Sequence, residues 1–201
     1  GMVNKVVRTT LPEIKDMHQG VVSITADGNS LYLTRWTISK GKKTSAIYTS
    51  KKSAAGWSEP VALPLTINVP GYNSQQAFIM PDGKQLIFSS DQPGSFGGYD
   101  LFSVEIDANG NPGKAVNMGG MINTANDEQA PYYHSLSKTL VFSTNGRVGM
   151  GGMDFFYTKH NGTNWNEPKN FGYPVNSVKD DIYFTSRGRA SNILEDVLFS
   201  S

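Results

Sequence analysis

Phe88-Ser-Ser-Asp-Gln-Pro-Gly-Ser-Phe-Gly-Gly-Tyr-Asp-Leu-Phe102 and Phe142-Ser-Thr-Asn-Gly-Arg-Val-Gly-Met-Gly-Gly-Met-Asp-Phe-Phe156 are one phrase written twice, 54 residues apart. The flanking sequence keeps the same step. Leu31, Leu86 and Leu140 head the runs LYLT, LIFSS and LVFST at spacings of 55 and 54, and Tyr48, Phe102 and Phe156 are each separated by 54. Trp57-Ser-Glu-Pro60 and Trp165-Asn-Glu-Pro168 lie two periods apart, and Asn68, Asn123 and Asn176 close successive units. A period of this length marks a repeat architecture, which has to be recognised before any single motif is interpreted. The run Phe184 to Leu198 also matches Phe142 to Phe156, at an offset of 42, and this predicts a fourth copy that has lost about a dozen residues.

Each unit reads as four short strands rich in β-branched and aromatic residues. Asp-Gly turns such as Asp27-Gly28 and Asp82-Gly83 join the first to the second. A glycine-rich loop leads to the third, and Asn109-Gly110 or Asn161-Gly162 leads to a fourth beginning near the tryptophan. Four-stranded antiparallel units repeated around an axis are propeller blades. The expectation is therefore an all-β chain: one β-propeller domain over residues 3–200, with repeats at 18–68, 69–123, 124–176 and 177–200. Residues 3–11 would add a strand to the last blade and close a ring of about four, which removes exposed edges. The alternative is a fragment of a larger propeller.

Composition narrows the function classes. The chain has 201 residues, 38% hydrophobic and 17% charged, which is enough for a sizeable core. Its net charge of +1 comes with no basic stripe, so no nucleic-acid partner is expected. No apolar run approaches the ~20 residues of a membrane span. Cysteine is absent, which excludes disulfides and thiolate metal sites; no cofactor is expected. Gly1-Met2 reads as an expression scar, so the missing leader says little about compartment.

Met80-Pro-Asp-Gly-Lys84 with Leu86–Ser90, Gly97-Gly-Tyr-Asp-Leu-Phe102, and Trp165–Asn176 followed by Asp180-Asp181 resemble the WD40-like β-propeller repeats of the TolB type. The resemblance covers about residues 18 to 199. It implies export to the bacterial periplasm or outer membrane, where such repeats accompany OmpA-like domains and serve as platforms for protein or cell-wall partners. The chain departs from the pattern in unit one, where Lys43-Thr-Ser-Ala46 replaces Gly-Gly-x-Asp, and in unit two, which has no tryptophan at that position.

Most recurring residues have a structural explanation. Asp100, Asp154 and Asp196 read as acceptors for backbone N–H groups of the glycine loop, and Trp57 and Trp165 as packing between blades. Gly146–Gly152 is followed by a strand, not the helix a phosphate cradle needs. His134 and His160 are single and read as structural. The residues around the starts of the first strands differ between units: His18, Gln75-Gln76, Asp127-Glu128 and Asp180-Asp181. In a propeller the first strand is innermost, so this set, with Arg147 and Arg187 nearby, is expected at the mouth of the channel, where propellers bind. The functional expectation is a non-catalytic binding or scaffold module. The alternative is a carbohydrate-active propeller in which two carboxylates, such as Glu128 and Asp181, flank a glycosidic bond.

Overall fold

The computed structural model describes Leu11 and residues 14–201, and every element in that range is a strand. The first sheet holds β1 (His18–Ile24), β2 (Ser30–Ser39), β3 (Lys42–Ser53), β4 (Gly56–Trp57) and β5 (Val61–Ala62). The second holds β6 (Ser74–Ile79), β7 (Gln85–Ser90), β8 (Asp100–Glu105) and β9 (Val116–Asn117). The third holds β10 (Glu128–His134), β11 (Thr139–Thr144), β12 (Asp154–Lys159) and β13 (Lys169–Asn170), and the fourth only β14 (Ile182–Ser186) and β15 (Val197–Ser200). Every pairing is antiparallel, each sheet comes from one contiguous stretch, and the second and third sheets are simple meanders.

The Asp-Gly turns form as the sequence predicts. Gly28 and Gly83 take φ of 71°, a left-handed conformation that glycine adopts without a Cβ penalty. In each turn the preceding Asp accepts the N–H two residues on, from Asn29 and Lys84.

The core lies between the sheets. One cluster joins Tyr32 and Ile47 of the first sheet to Ile79, Phe88 and Phe102 of the second. A second joins Ile87 and Leu101 to Leu140, Phe142 and Phe156, and a third joins Val141 and Phe155 to Phe184 of the fourth sheet. A sheet sandwiched in this way buries both faces, which is why β11 is buried along its whole length and does not alternate. Inner strands of adjacent sheets touch in the order β1, β6, β10, β14; among the described elements no strand of the fourth sheet touches one of the first. The expected closing strand, residues 3–11, lies almost wholly outside the described residues.

The invariants of the repeat are brackets between turn and strand. The side-chain carbonyls of Asn68, Asn123 and Asn176 each accept the backbone N–H of Ile47, Leu101 and Phe155, at 2.8 Å in all three cases. Their amide nitrogens donate back to the carbonyls of the same three residues. A single side chain thus stands in for a partner strand and satisfies buried backbone. Asn123→Ala would strand the Leu101 N–H and leave the Leu101 C=O with only the Met118 N–H, and is expected to lower stability by about 1–3 kcal/mol in a urea melt. A loss below about 1 kcal/mol would contradict the bracket.

Three sequence expectations need correction. The fourth unit is not a shortened copy aligned at 42. Tyr183, like Ala130 and Gln76, is a left-handed residue inside an inner-strand bulge, and Asp181 repeats the bonding of Glu128. β14 is therefore a first strand at the ordinary step of 53, and β15 is its second. Phe184-Thr-Ser of this first strand resembles Phe142-Ser-Thr of a second strand in letters alone. It follows that Asp196 does not repeat Asp100: it is exposed and pairs with Arg187 at 3.2 Å. Finally, Trp57 and Trp165 do not open full outer strands. β5, β9 and β13 are two residues long, and Trp165 only bridges to His160.

Candidate functional site

The inner strands of all four sheets line one cavity of about 830 Å³. Its wall is Val21–Ile24 of β1, Gln76–Ile79 of β6, Ala130–Tyr132 of β10 and Tyr183–Thr185 of β14, with Ala26 and Pro81 from the turns. The sequence builds this wall by a repeated irregularity. Val21, Gln76, Ala130 and Tyr183 have φ of 48°, 55°, 50° and 63°, and each sits in the register shift of its strand. A left-handed conformation is strained for any of these side chains, most of all for β-branched Val21, and persists only where the surroundings over-determine it. A bulge of this kind bends its strand and increases its local twist.

Gln76, 5% exposed, is the polar hinge of the wall. Its N–H donates to Thr34 Oγ1 of the first sheet at 2.8 Å, and its side-chain oxygen accepts the Ala130 N–H of the third at 3.0 Å. Its side-chain nitrogen reaches the Tyr183 hydroxyl of the fourth at 3.2 Å. One glutamine therefore ties three other units together. The remainder of the wall is mostly apolar, with Phe78 edge-on to Tyr132 at 5.3 Å and Tyr132 tilted against Phe184 at 5.9 Å.

Of the nine residues expected at a channel mouth, only Gln76 lines this cavity. His18 and Gln75 come together at the other end of the inner strands. His18 stacks on Trp36 at 5.5 Å, Lys43 lies over the same indole, and the Lys43 ammonium donates to Gln75 at 2.8 Å. Gln75 in turn reaches Gln129 at 3.4 Å. Burial lowers the pKa of Lys43.

The acidic pairs are turned into the fold. Glu128 is wholly buried, and its carboxylate accepts the Thr124 N–H at 2.8 Å and the Thr124 and Thr144 hydroxyls at 2.7 Å. Burial raises its pKa despite those donors. Asp181, equally buried, accepts the Ser177 N–H and hydroxyl. Asp127 and Asp180 reach back to the preceding unit and accept the N–H of Tyr99 and of Met153. Burial, with Asp91 and Asp127 beside it, pushes the Tyr99 phenol up to about 12. Arg147 donates to the Met121 and Ile122 carbonyls, and Arg187 is exposed. Asp100 and Asp154 accept loop N–H groups from Phe96, Met150 and Gly151, and burial raises the pKa of Asp100.

No family model matches this chain, and no curated protein matches it. Among solved structures, it resembles an α-L-arabinofuranosidase from Lactobacillus brevis with a TM-score of 0.53 and 9% identity, over 78% of this chain and 57% of that one. The likeness is one of fold alone. TolB from Acinetobacter baumannii matches with a TM-score of 0.46 and 15% identity, over 75% of this chain and 32% of that one. An exo-β-1,3-galactanase from Clostridium thermocellum matches with a TM-score of 0.45 and 18% identity, over 74% and 34%. The chain thus spans 57% of the arabinofuranosidase and about a third of the other two.

Sequence reasoning missed Trp36, Lys43, Gln129 and Tyr183. Two of them carried a signal: Gln129 lies one period beyond Gln75, and Tyr183 one period beyond Ala130. The acidic pairs correspond in the fold to Asn73-Ser74, two positions before Gln75-Gln76, at the entry to the inner strand, where Glu128 and Asp181 bond the loop that precedes it.

Proposed function

We propose that this chain is a non-catalytic binding module of the propeller type, similar in its repeat to TolB, whose partner meets the rim of the central cavity. The observation that carries the reading is the convergence of four inner strands on one large cavity whose wall, among the described residues, holds no carboxylate and no histidine. Concave, mostly apolar sites with a few placed polar groups are binding sites by construction. The carbohydrate-active alternative asks for two carboxylates free to face a substrate, whereas Glu128 and Asp181 commit theirs to Thr124, Thr144 and Ser177. The partner class that fits the TolB-like repeat is a protein or cell-wall component, met in the periplasm or at the outer membrane. Among the described residues no helix is long and apolar enough to cross a membrane.

The test places a photo-crosslinking side chain at Ile24, half exposed on the rim, and as a control at Val61 on the outer edge of the first sheet. Irradiation in bacterial cells that produce the protein is expected to give a discrete adduct from position 24 and none from position 61. Equal labelling from both positions, or none from position 24, would remove the rim as the binding surface. Hydrolysis of chromogenic glycosides by the wild-type protein would overturn the non-catalytic reading.

A further inference from the structure

We infer that the cavity itself receives an uncharged, largely apolar small molecule that presents an oxygen acceptor to the Tyr183 hydroxyl. This goes beyond a partner at the rim, and rests on that reading only in treating the cavity as a binding site. Its first support is size: about 830 Å³ falls within the roughly 300–1,000 Å³ of small-molecule pockets. Its second is charge. Among the described residues no Asp, Glu, Lys, Arg or His belongs to the wall, so an ionic ligand would lose its hydration with no counter-charge from them to meet it.

The third support is a placed donor. The Tyr183 oxygen accepts from the Gln76 amide nitrogen, and Gln76 is itself held by Ala130. A phenol that accepts in this way still has its own hydrogen to give, and among the described residues no hydrogen bond from it is found. Tyr183 is 44% exposed and lines the cavity, so that hydrogen is available to a ligand. Val22 and Ile24, 48% and 50% exposed, and the Phe78 and Tyr132 rings supply the apolar contact. The four left-handed residues in this wall are strained backbone gathered at one place, as is common at ligand clamps.

The test uses Nile red, an uncharged dye with a carbonyl acceptor, whose emission shifts to the blue in apolar surroundings. The wild-type protein is expected to bind it saturably at one site, and to bind the anionic dye anilinonaphthalene sulfonate at least tenfold more weakly. Ile24→Asp should weaken Nile red at least tenfold, Tyr183→Phe several-fold, and Val61→Asp not at all. If Ile24→Asp does not fold by circular dichroism, Val22→Asp replaces it. The inference is overturned by absence of saturable Nile red binding, by equal binding of the two dyes, or by Nile red affinity unchanged in the folded cavity variants. Crosslinking from position 24 with no dye binding would sink the small-molecule ligand and leave the rim reading standing.

Discussion

Glu128→Ala is expected to cost about 3 kcal/mol of unfolding free energy, because it leaves one buried and two partly buried donors without an acceptor. The Thr124 N–H and the Thr124 and Thr144 hydroxyls all converge on this carboxylate. Glu128→Gln should recover most of the loss, since the amide oxygen can take the Thr124 N–H while both hydroxyls turn to accept from its nitrogen. The pH dependence has a definite sign. Burial raises the Glu128 pKa in the folded protein above its ordinary 4.5, so the folded state takes up the proton first as pH falls. The part of this group's contribution that is linked to proton uptake is absent at neutral pH, appears as pH drops through the raised folded value, and is complete below 4.5. The stability advantage of wild type over Glu128→Gln should therefore grow as pH falls from neutral toward 4.5, read as the difference in urea midpoints at each pH. An Ala variant as stable as wild type would show that the carboxylate is not a structural bracket. It would also return Glu128 to consideration as a functional acid.

Gly151→Ala is expected to be at least as damaging, for a steric reason. A Cβ at Gly151 would sit 1.9 Å from the Lys179 carbonyl oxygen and 2.9 Å from that of Ser177. Both are backbone atoms of the segment leading into the next sheet, so no side chain can rotate away. Gly97 meets Ala125 at the same 1.9 Å one period earlier, and Gly98 and Gly152 face the carboxylates of Asp127 and Asp180. The Gly-Gly pair is thus the notch into which each following unit locks. Overpacking usually costs up to about 3 kcal/mol, and a rigid backbone clash belongs at or above that figure. Gly113→Ala, where the nearest atom would be 3.6 Å away, is the matched control and should lose less than about 1 kcal/mol. Equal urea midpoints for the two variants would contradict the notch.

Both predictions bear on how far the chain could be read. The repeated residues told the truth about architecture. Asn68, Asn123 and Asn176, the Gly-Gly pairs, and Asp100 with Asp154 do the same job wherever they recur, so the repetition of the letters reports the repetition of the contacts. The unequal residues were harder. Asp127-Glu128 and Asp180-Asp181 looked free because they broke the pattern, yet they bind the loops just before them and the glycine loops of the preceding unit. A buried carboxylate and a solvated one have the same letter.

By itself, the amino-acid sequence determined that this protein is built of all-β units at a step of about 54 residues, because strand periodicity and Asp-Gly turns are short-range properties and the repeat shows directly in the letters. Only the tertiary structure decided which strand of the last unit faces the centre, since Phe184 could be aligned to an inner strand or to the second strand from letters alone. It alone placed Gln76 against Tyr183 and opened the cavity beside them. That contact joins residues 107 positions apart on different sheets. It depends on the bend that four left-handed bulges give to the inner strands, which no local propensity for β structure encodes.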